Sequence, residues 1–269
     1  MQYEPIKRSL GRFLRKSPAL RKFLYLLLDL LLLRSWHVRK TIRQKGLLLP
    51  GNAYVLDAGS GFGQYTWRMS SRHTGWRIKG VDINNDDIND CIDFFRKTGR
   101  SDRVTFEQVD LAGLNDKGLY DFILTVDVME HIRDDEKVFS NFFHALKNKG
   151  VVIISTPSDQ GGSDVHNEKD ASFIDEHVRD GYGKEEINGK LLKAGFSKTE
   201  VNYTYGKAGQ LSWVLSMKYP VGMLNISYLF FIFLPFYYVV FFPVAFLLNI
   251  IDVNTKHKTG TGLLVIAEK

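Results

Sequence analysis

From residue 50 to about residue 205, short apolar runs alternate with stretches of helical periodicity, and that alternation leaves the chain few folds to choose from. Residues 53–57, 76–82, 104–109, 120–126 and 151–156 read as strands. Residues 86–98 and 135–146, which lie between them, read as helices. Strands separated by helices pair in parallel, and the helices then cover both faces of one sheet. An α/β domain is therefore expected. With one cysteine, Cys91, in 269 residues, no internal disulfide can staple it, which suits a reducing compartment.

Residues 55–63 read Val-Leu-Asp-Ala-Gly-Ser-Gly-Phe-Gly, an apolar strand end, an acid, then glycines at 59, 61 and 63. Glycine reaches positive φ without steric penalty and lets a ligand approach the backbone. The helix that follows offers free N–H groups to that ligand. Dinucleotide-binding loops use the same physics, so the glycines alone do not choose the ligand. Asp57 discriminates. A carboxylate aimed at the loop repels a pyrophosphate and attracts the ammonium of an amino-acid moiety. Later strand ends also carry acids, with Asp82-Ile83 after the second, Asp110-Leu111 after the third, and Asp127-Val128-Met129-Glu130-His131 after the fourth.

In order and spacing this series resembles the class I S-adenosylmethionine-dependent methyltransferases, most closely bacterial enzymes acting on lipids, quinones and other small molecules. The resemblance implies a Rossmann-like sheet of seven strands, with residues 198–205 and 262–268 as an antiparallel last pair. It implies S-adenosyl-L-methionine as cofactor, held by Asp57, Gly59, Gly61 and Gly63, with Asp82 accepting both ribose hydroxyls and Ile83 against the adenine. Asp110 and Leu111 fall near the adenine amino group, and Asp127 also belongs to the cofactor side. The catalytic candidates are His177, His131 and Glu130. His177 stands in a Glu-His-Val-Arg-Asp-Gly-Tyr stretch at 176–182 that resembles the family's loop over the substrate. Neutral histidine suits proton removal near pH 7.

Each of these residues also has a plainer role open to it. Asp57 can cap a helix, Asp82 and Asp110 can close turns, and Glu130 with His131 can stabilise a loop. His177 and Arg179 can pin the 176–183 segment by hydrogen bonds. Asp134 and Asp135 read as caps of the helix after strand four. His166, Glu168 and His177 lack any recognised ligand spacing, so no metal is expected.

Both ends of the chain are unusual. Residues 1–45 carry twelve Lys or Arg against Glu4 and Asp29, a net charge of +10 within an overall +6. Ile6, Leu10, Phe13 and Leu14 recur at helical spacing, and Ser17-Pro18 marks the start of a second helix running through the apolar stretch 23–33. Eleven apolar residues are too few to span a bilayer, so this basic pair is expected to lie in a membrane interface or to dock on its own domain. From Tyr219 to Ile251 there is no charged residue, and Pro235 and Pro243 are expected to break any continuous helix there. Both flanks of this stretch belong to one sheet, so a single crossing is excluded by the implied topology.

The expected organisation is 1–46 as basic amphipathic helices, 47–218 as the methyltransferase domain, 219–251 as a membrane-associated insertion, and 252–269 as the returning last strand. The expected activity is methyl transfer, with oxygen as acceptor atom, to a hydrophobic small molecule or lipid such as a quinone or polyene pigment precursor. The expected place is the anionic, cytoplasmic face of a membrane, peripheral or monotopic. No nucleic-acid partner is expected, because basic and aromatic residues do not interleave on the main domain. Two rivals are a non-catalytic membrane adaptor that keeps the fold and an NAD-dependent oxidoreductase. Oligomeric state is left open.

Overall fold

The computed structural model describes residues 17–161 and 178–269. The elements run α1 (Pro18–Leu31), α2 (Leu33–Gly46), β1 (Tyr54–Ala58), α3 (Gln64–Arg72), β2 (Arg77–Asp82), α4 (Asn85–Lys97), β3 (Val104–Gln108), β4 (Tyr120–Val126), α5 (Asp135–Ala145) and β5 (Leu146–Pro157). Then come α6 (Lys184–Ala194), β6 (Lys198–Thr204), α7 (Lys207–Trp213), α8 (Tyr219–Ile226), α9 (Leu234–Asn254) and β7 (Gly262–Glu268). The seven strands form one sheet in the order β3-β2-β1-β4-β5-β7-β6, and β7 alone runs antiparallel to its neighbours. This is the expected α/β sheet with its antiparallel last pair. The strand ends agree with expectation to within a residue or so, apart from β5, which begins at Leu146 rather than 151.

Two cores sandwich the sheet. On one face Leu56, Ile123 and Val152 pack with Phe139 and Phe142 of α5 and Leu191 of α6. On the other Val55, Ile78 and Leu124 pack with Phe94 and Phe95 of α4 and with Tyr25, Val38 and Ile42 of α1 and α2. Of the two places the sequence allows for the N-terminal pair, residues 18–46 take the dock on their own domain.

Ser17 caps α1 and Pro18 opens it, as the sequence indicates. The helix does not continue to residue 33, however. Leu32 is extended, with φ −85° and ψ 111°, and α2 starts afresh at Leu33. The break turns the chain so that Leu33 is buried and Arg34 reaches Asp127 at the end of β4. The expected helix over residues 6–16 lies outside the described residues.

Pro243 is a second correction, for α9 runs straight through it. Proline removes a backbone donor and normally breaks a helix. Here both sides are clamped. Tyr237 and Tyr238 donate to the carbonyls of Leu215 and Ser216 at 2.8 and 2.9 Å, and Asp252 accepts from Gly209 N–H at 2.9 Å on the far side. Pro235 sits in the first turn, where no donor is needed.

Candidate active site

The glycine loop between β1 and α3 has the backbone its sequence demands. Gly59, Gly61 and Gly63 have φ of +79°, +48° and +81°. A Cβ on Gly59 would fall 2.2 Å from Val128, so this position is closed to other residues on two counts. A Cβ on Gly61 would meet nothing within 4 Å, so the loop is open at its crest. The amides of Gly59 and Ser60 both donate to Val81 O at 2.8 Å, tying the loop to the end of β2. No side chain caps the N-terminus of α3.

Asp82 organises the crest. One carboxylate oxygen accepts from Gly61 N–H at 2.8 Å and the other from Asn84 N–H at 2.9 Å. Ile83 beside it is 68% exposed, a large apolar side chain held in the open. Its carbonyl accepts from the Gln108 amide at 2.9 Å, which joins the ends of β2 and β3.

Asp57 does not cap α3, where Gly63 holds the cap position; it accepts the Thr66 hydroxyl at 2.5 Å instead. Burial pushes its carboxyl up to about 6, with the hydrogen bonds from Thr66 opposing and the Asp82 charge adding to the rise.

The remaining candidates divide. Asp110 accepts from Ala112 N–H at 2.9 Å and so performs its turn role, while Leu111 is buried in the core. Asp127 is a non-glycine residue at φ 51°, in sparsely populated backbone space, and its carboxylate pairs with Arg34. Glu130 is 1% exposed and accepts from Thr156 Oγ1 at 3.0 Å. Burial raises its carboxyl, opposed by bonds and charges that include Arg34. His131 is exposed beside it. His177, like His166 and Glu168, lies outside the described residues. Just after it, Val178 N–H donates to Glu130 O at 3.0 Å, returning the chain to the end of β4.

Arg179 takes the pinning role. It pairs with Asp135 at 2.6 Å and donates to Ile132 O at 2.8 Å. Asp135 is a correction. It is not a helix cap but a buried hub that also takes Lys190 at 2.8 Å and the Tyr182 hydroxyl at 2.7 Å. Asp134 occupies the cap position without a side-chain bond.

A group of residues the sequence reading passed over closes the site from above. Arg21, Tyr25 and Asp29 of α1 are all buried. Arg21 and Tyr25 both donate to Phe62 O in the glycine loop, and Asp29 accepts from Gln64 at 2.9 Å and pairs with Arg68. A polar residue every fourth position marks one face of a helix, and that was the available signal. Arg34 comes next, its amide donating to the Tyr205 hydroxyl at 2.9 Å.

A methyltransferase-domain family model matches residues 31–201, well over half of the chain. The chain belongs to that family. Phosphoethanolamine N-methyltransferase 1 of Zea mays is 30% identical over 159 residues, 59% of this chain and 30% of the maize protein. The ubiquinone biosynthesis O-methyltransferase of Rickettsia canadensis (strain McKiel) is 24% identical over 102 residues, 38% of this chain and 42% of that protein. The chain thus matches less than half the length of either relative. Among solved structures, phosphoethanolamine N-methyltransferase 2 of Haemonchus contortus, in complex with S-adenosyl-L-methionine, superposes with a TM-score of 0.63 at 21% identity. That match covers 87% of this chain and 52% of the other. A SAM-dependent methyltransferase from Archaeoglobus fulgidus gives 0.53 at 16% identity, covering 86% and 93%.

The fold and cofactor class of this methyltransferase are therefore those of class I enzymes, with S-adenosylmethionine as methyl donor. Its own residues fit such a ligand. Ser60 Oγ in the glycine loop and Arg34 Nε beside Asp127 are buried with no hydrogen-bond partner. A buried polar atom left unpaired costs about 1–3 kcal/mol, and a zwitterionic amino-acid end offers partners to both.

Proposed function

We propose that this methyltransferase transfers a methyl group to a hydrophobic acceptor taken from a membrane, with oxygen as the acceptor atom. The supporting observation is topological. β6 is antiparallel to β7, and β7 to β5, so β6 ends and β7 begins at the edge where β1, β4 and β5 end. The apolar segment between β6 and β7 therefore leaves the sheet on the same edge as the glycine loop, Asp82, Asp127 and Glu130.

In the cofactor site we assign the methionine end to Asp57, Arg34 and the glycine loop, the ribose to Asp82, and the adenine to Ile83. Arg34 answers a carboxylate and Asp57 an ammonium, opposite charges suited to one zwitterion. The cofactor supplies, when bound, an electrophilic methyl group on sulfur. The chain's task is alignment, exclusion of water and removal of the acceptor proton. Glu130 is our first candidate for that last task, since it stands just after β4 on the cofactor edge and burial raises its carboxyl above the ordinary carboxylate value. His131 and His177 remain candidates for the same role.

Nitrogen as acceptor atom is the second reading. It is favoured by the phosphoethanolamine N-methyltransferases among the relatives.

The deciding experiment incubates the purified protein and labelled S-adenosylmethionine with a membrane lipid extract, followed by mass spectrometry. A lipid-soluble product heavier by one methyl group, with the label on oxygen, is expected. Label on nitrogen selects the second reading, and label only in water-soluble products rejects the membrane acceptor. With the acceptor known, Glu130→Gln should lower kcat roughly 100-fold while cofactor affinity is retained.

A further inference from the structure

We infer that α7–α9 are inserted to half depth in one leaflet of an anionic bilayer, holding the cofactor edge of the sheet against the headgroups. This deepens the membrane-acceptor proposal above. It rests on an inversion of polarity that the fold does not need for its own sake.

At the root of the hairpin the inside is polar. Ser212, Asn249 and Asp252 are 0%, 1% and 0% exposed. Ser212 donates to Asn249 Oδ1 at 2.6 Å, and Asp252 lies 2.8 Å from His37 of α2. The outside is apolar. Leu229, Phe233, Phe236 and Val240 are 70%, 60%, 70% and 64% exposed. Exposed apolar positions on α9, from Val239 round to Phe241, span roughly 200° of its circumference at 3.6 residues per turn. A protein groove covers a stripe, whereas hydrocarbon wets a helix all round. Polar groups paired inside and apolar groups outside is the arrangement lipid selects.

α1 repeats the inversion. Its polar stripe, Arg21, Tyr25 and Asp29, is buried, while Phe23 and Leu26 on its outer side are 54% and 63% exposed. Charge agrees. Lys207, Lys256 and Lys258 are exposed at the base of the hairpin, where phosphates would lie; Lys218, further up the leg, reaches back over the Trp213 ring at 5.8 Å, and no charged residue occurs from 219 to 251.

Length fixes the depth. Ala245 is the first fully buried residue of α9, and the twelve-residue rise back to Phe233 projects about 18 Å, against about 30 Å for a hydrocarbon core. The other leg pairs with α9 from Ser212, whose hydroxyl donates to Ala245 O at 3.0 Å, and the fourteen-residue rise from there to Ile226 at the end of α8 is about 21 Å, which cannot cross either. One leaflet accommodates both.

The test uses the full purified chain and vesicles of phosphatidylcholine with or without phosphatidylglycerol. It should float with the anionic vesicles, and part of the binding should persist in high salt, since apolar burial is not screened. The quadruple variant Leu229→Ser, Phe233→Ser, Phe236→Ser, Val240→Ser should partition more than about a hundredfold less while keeping its fold and its cofactor affinity. A fluorophore on Phe233→Cys should be quenched best by lipids brominated deep in the chain, and one on Leu247→Cys by those brominated near the headgroup. Flotation abolished by salt alone, equal quenching at both sites, or a stable dimer that ignores vesicles would each overturn the inference. Cofactor titration separates the two claims. Retained cofactor binding without vesicle binding defeats only the anchor, and vesicle binding without cofactor binding defeats only the methyl-transfer proposal.

Discussion

α4 and α9 both carry pairs of phenylalanines, and they sort them in opposite directions. In α4, Phe94 and Phe95 are 3% and 1% exposed, packed beneath the sheet with Trp67 and Phe106, while its acids face out. In α9, Phe236 is 70% exposed and the buried positions are Ala245, Asn249 and Asp252, none of them aromatic. On the insertion proposed above, the same residue types obey opposite rules because different media lie outside. Water outside α4 rewards burying aromatic area. Around α9 the polar groups seek one another and the aromatics are left out, which is costly in water and natural in hydrocarbon.

Denaturant unfolding should separate the two helices sharply. Phe95→Ala removes a ring surrounded by core and should cost about 3–5 kcal/mol, read as a fall in denaturant midpoint. A loss under about 1 kcal/mol would mean that α4 is packed no better than α9. Next in size is Asp82→Ala, which should weaken S-adenosylmethionine binding by about 1.5–3 kcal/mol through lost hydrogen bonds to a charged acceptor. It also frees Gly61 N–H, so titration of the folded variant is the needed measurement. Unchanged affinity would remove Asp82 from the site.

The α4 half of the molecule was legible because its signals are local. Alternating apolar runs set the strands, and the glycines at 59, 61 and 63 stand where positive φ is required. Asp82 marks the end of β2 without any tertiary information. Arg34 was not legible. Its position depends on the break at Leu32, and nothing in a leucine run announces an extended residue. The inward stripe of Arg21, Tyr25 and Asp29 could have been seen, but polar residues on an apolar helix are habitually assigned to water. The continuity of α9 through Pro243 depends on clamps from Leu215, Ser216 and Gly209, contacts between residues distant in sequence.

Asp57 offers a pH test on the cofactor side of the comparison. Its folded-state carboxyl is raised from 3.8 to about 6, chiefly by burial. Protonation therefore stabilises the cofactor-free fold, fully below the ordinary carboxylate value, and that contribution is lost as pH rises through about 6. Asp57→Asn should then stabilise the cofactor-free protein by on the order of 2 kcal/mol at pH 8 and little at pH 4. The cofactor's ammonium calls for the ionised form, so affinity in the parent should fall as pH drops below about 6, at most tenfold per unit. The variant should bind weakly and without that dependence. A pH-independent affinity in the parent would place the ammonium elsewhere.

The smallest expected effect is also the sharpest contrast with Phe95. Phe236→Ala deletes a ring of the same size from a position 70% exposed, where the fold gives it little to lean on. In detergent-free buffer its unfolding free energy should change by no more than about 0.5 kcal/mol, the ordinary range for a surface substitution. If water were the medium α9 is built for, removing an exposed ring would leave behaviour unaltered in every other respect. If hydrocarbon is, the same variant should show lower affinity for anionic vesicles by roughly tenfold or more, since a large apolar side chain gains on the order of 2 kcal/mol on full burial. The two measurements on one variant then move independently, stability hardly at all and partitioning strongly. A stability loss comparable to that of Phe95→Ala would mean that the ring is buried in the protein after all, and α9 would belong with α4.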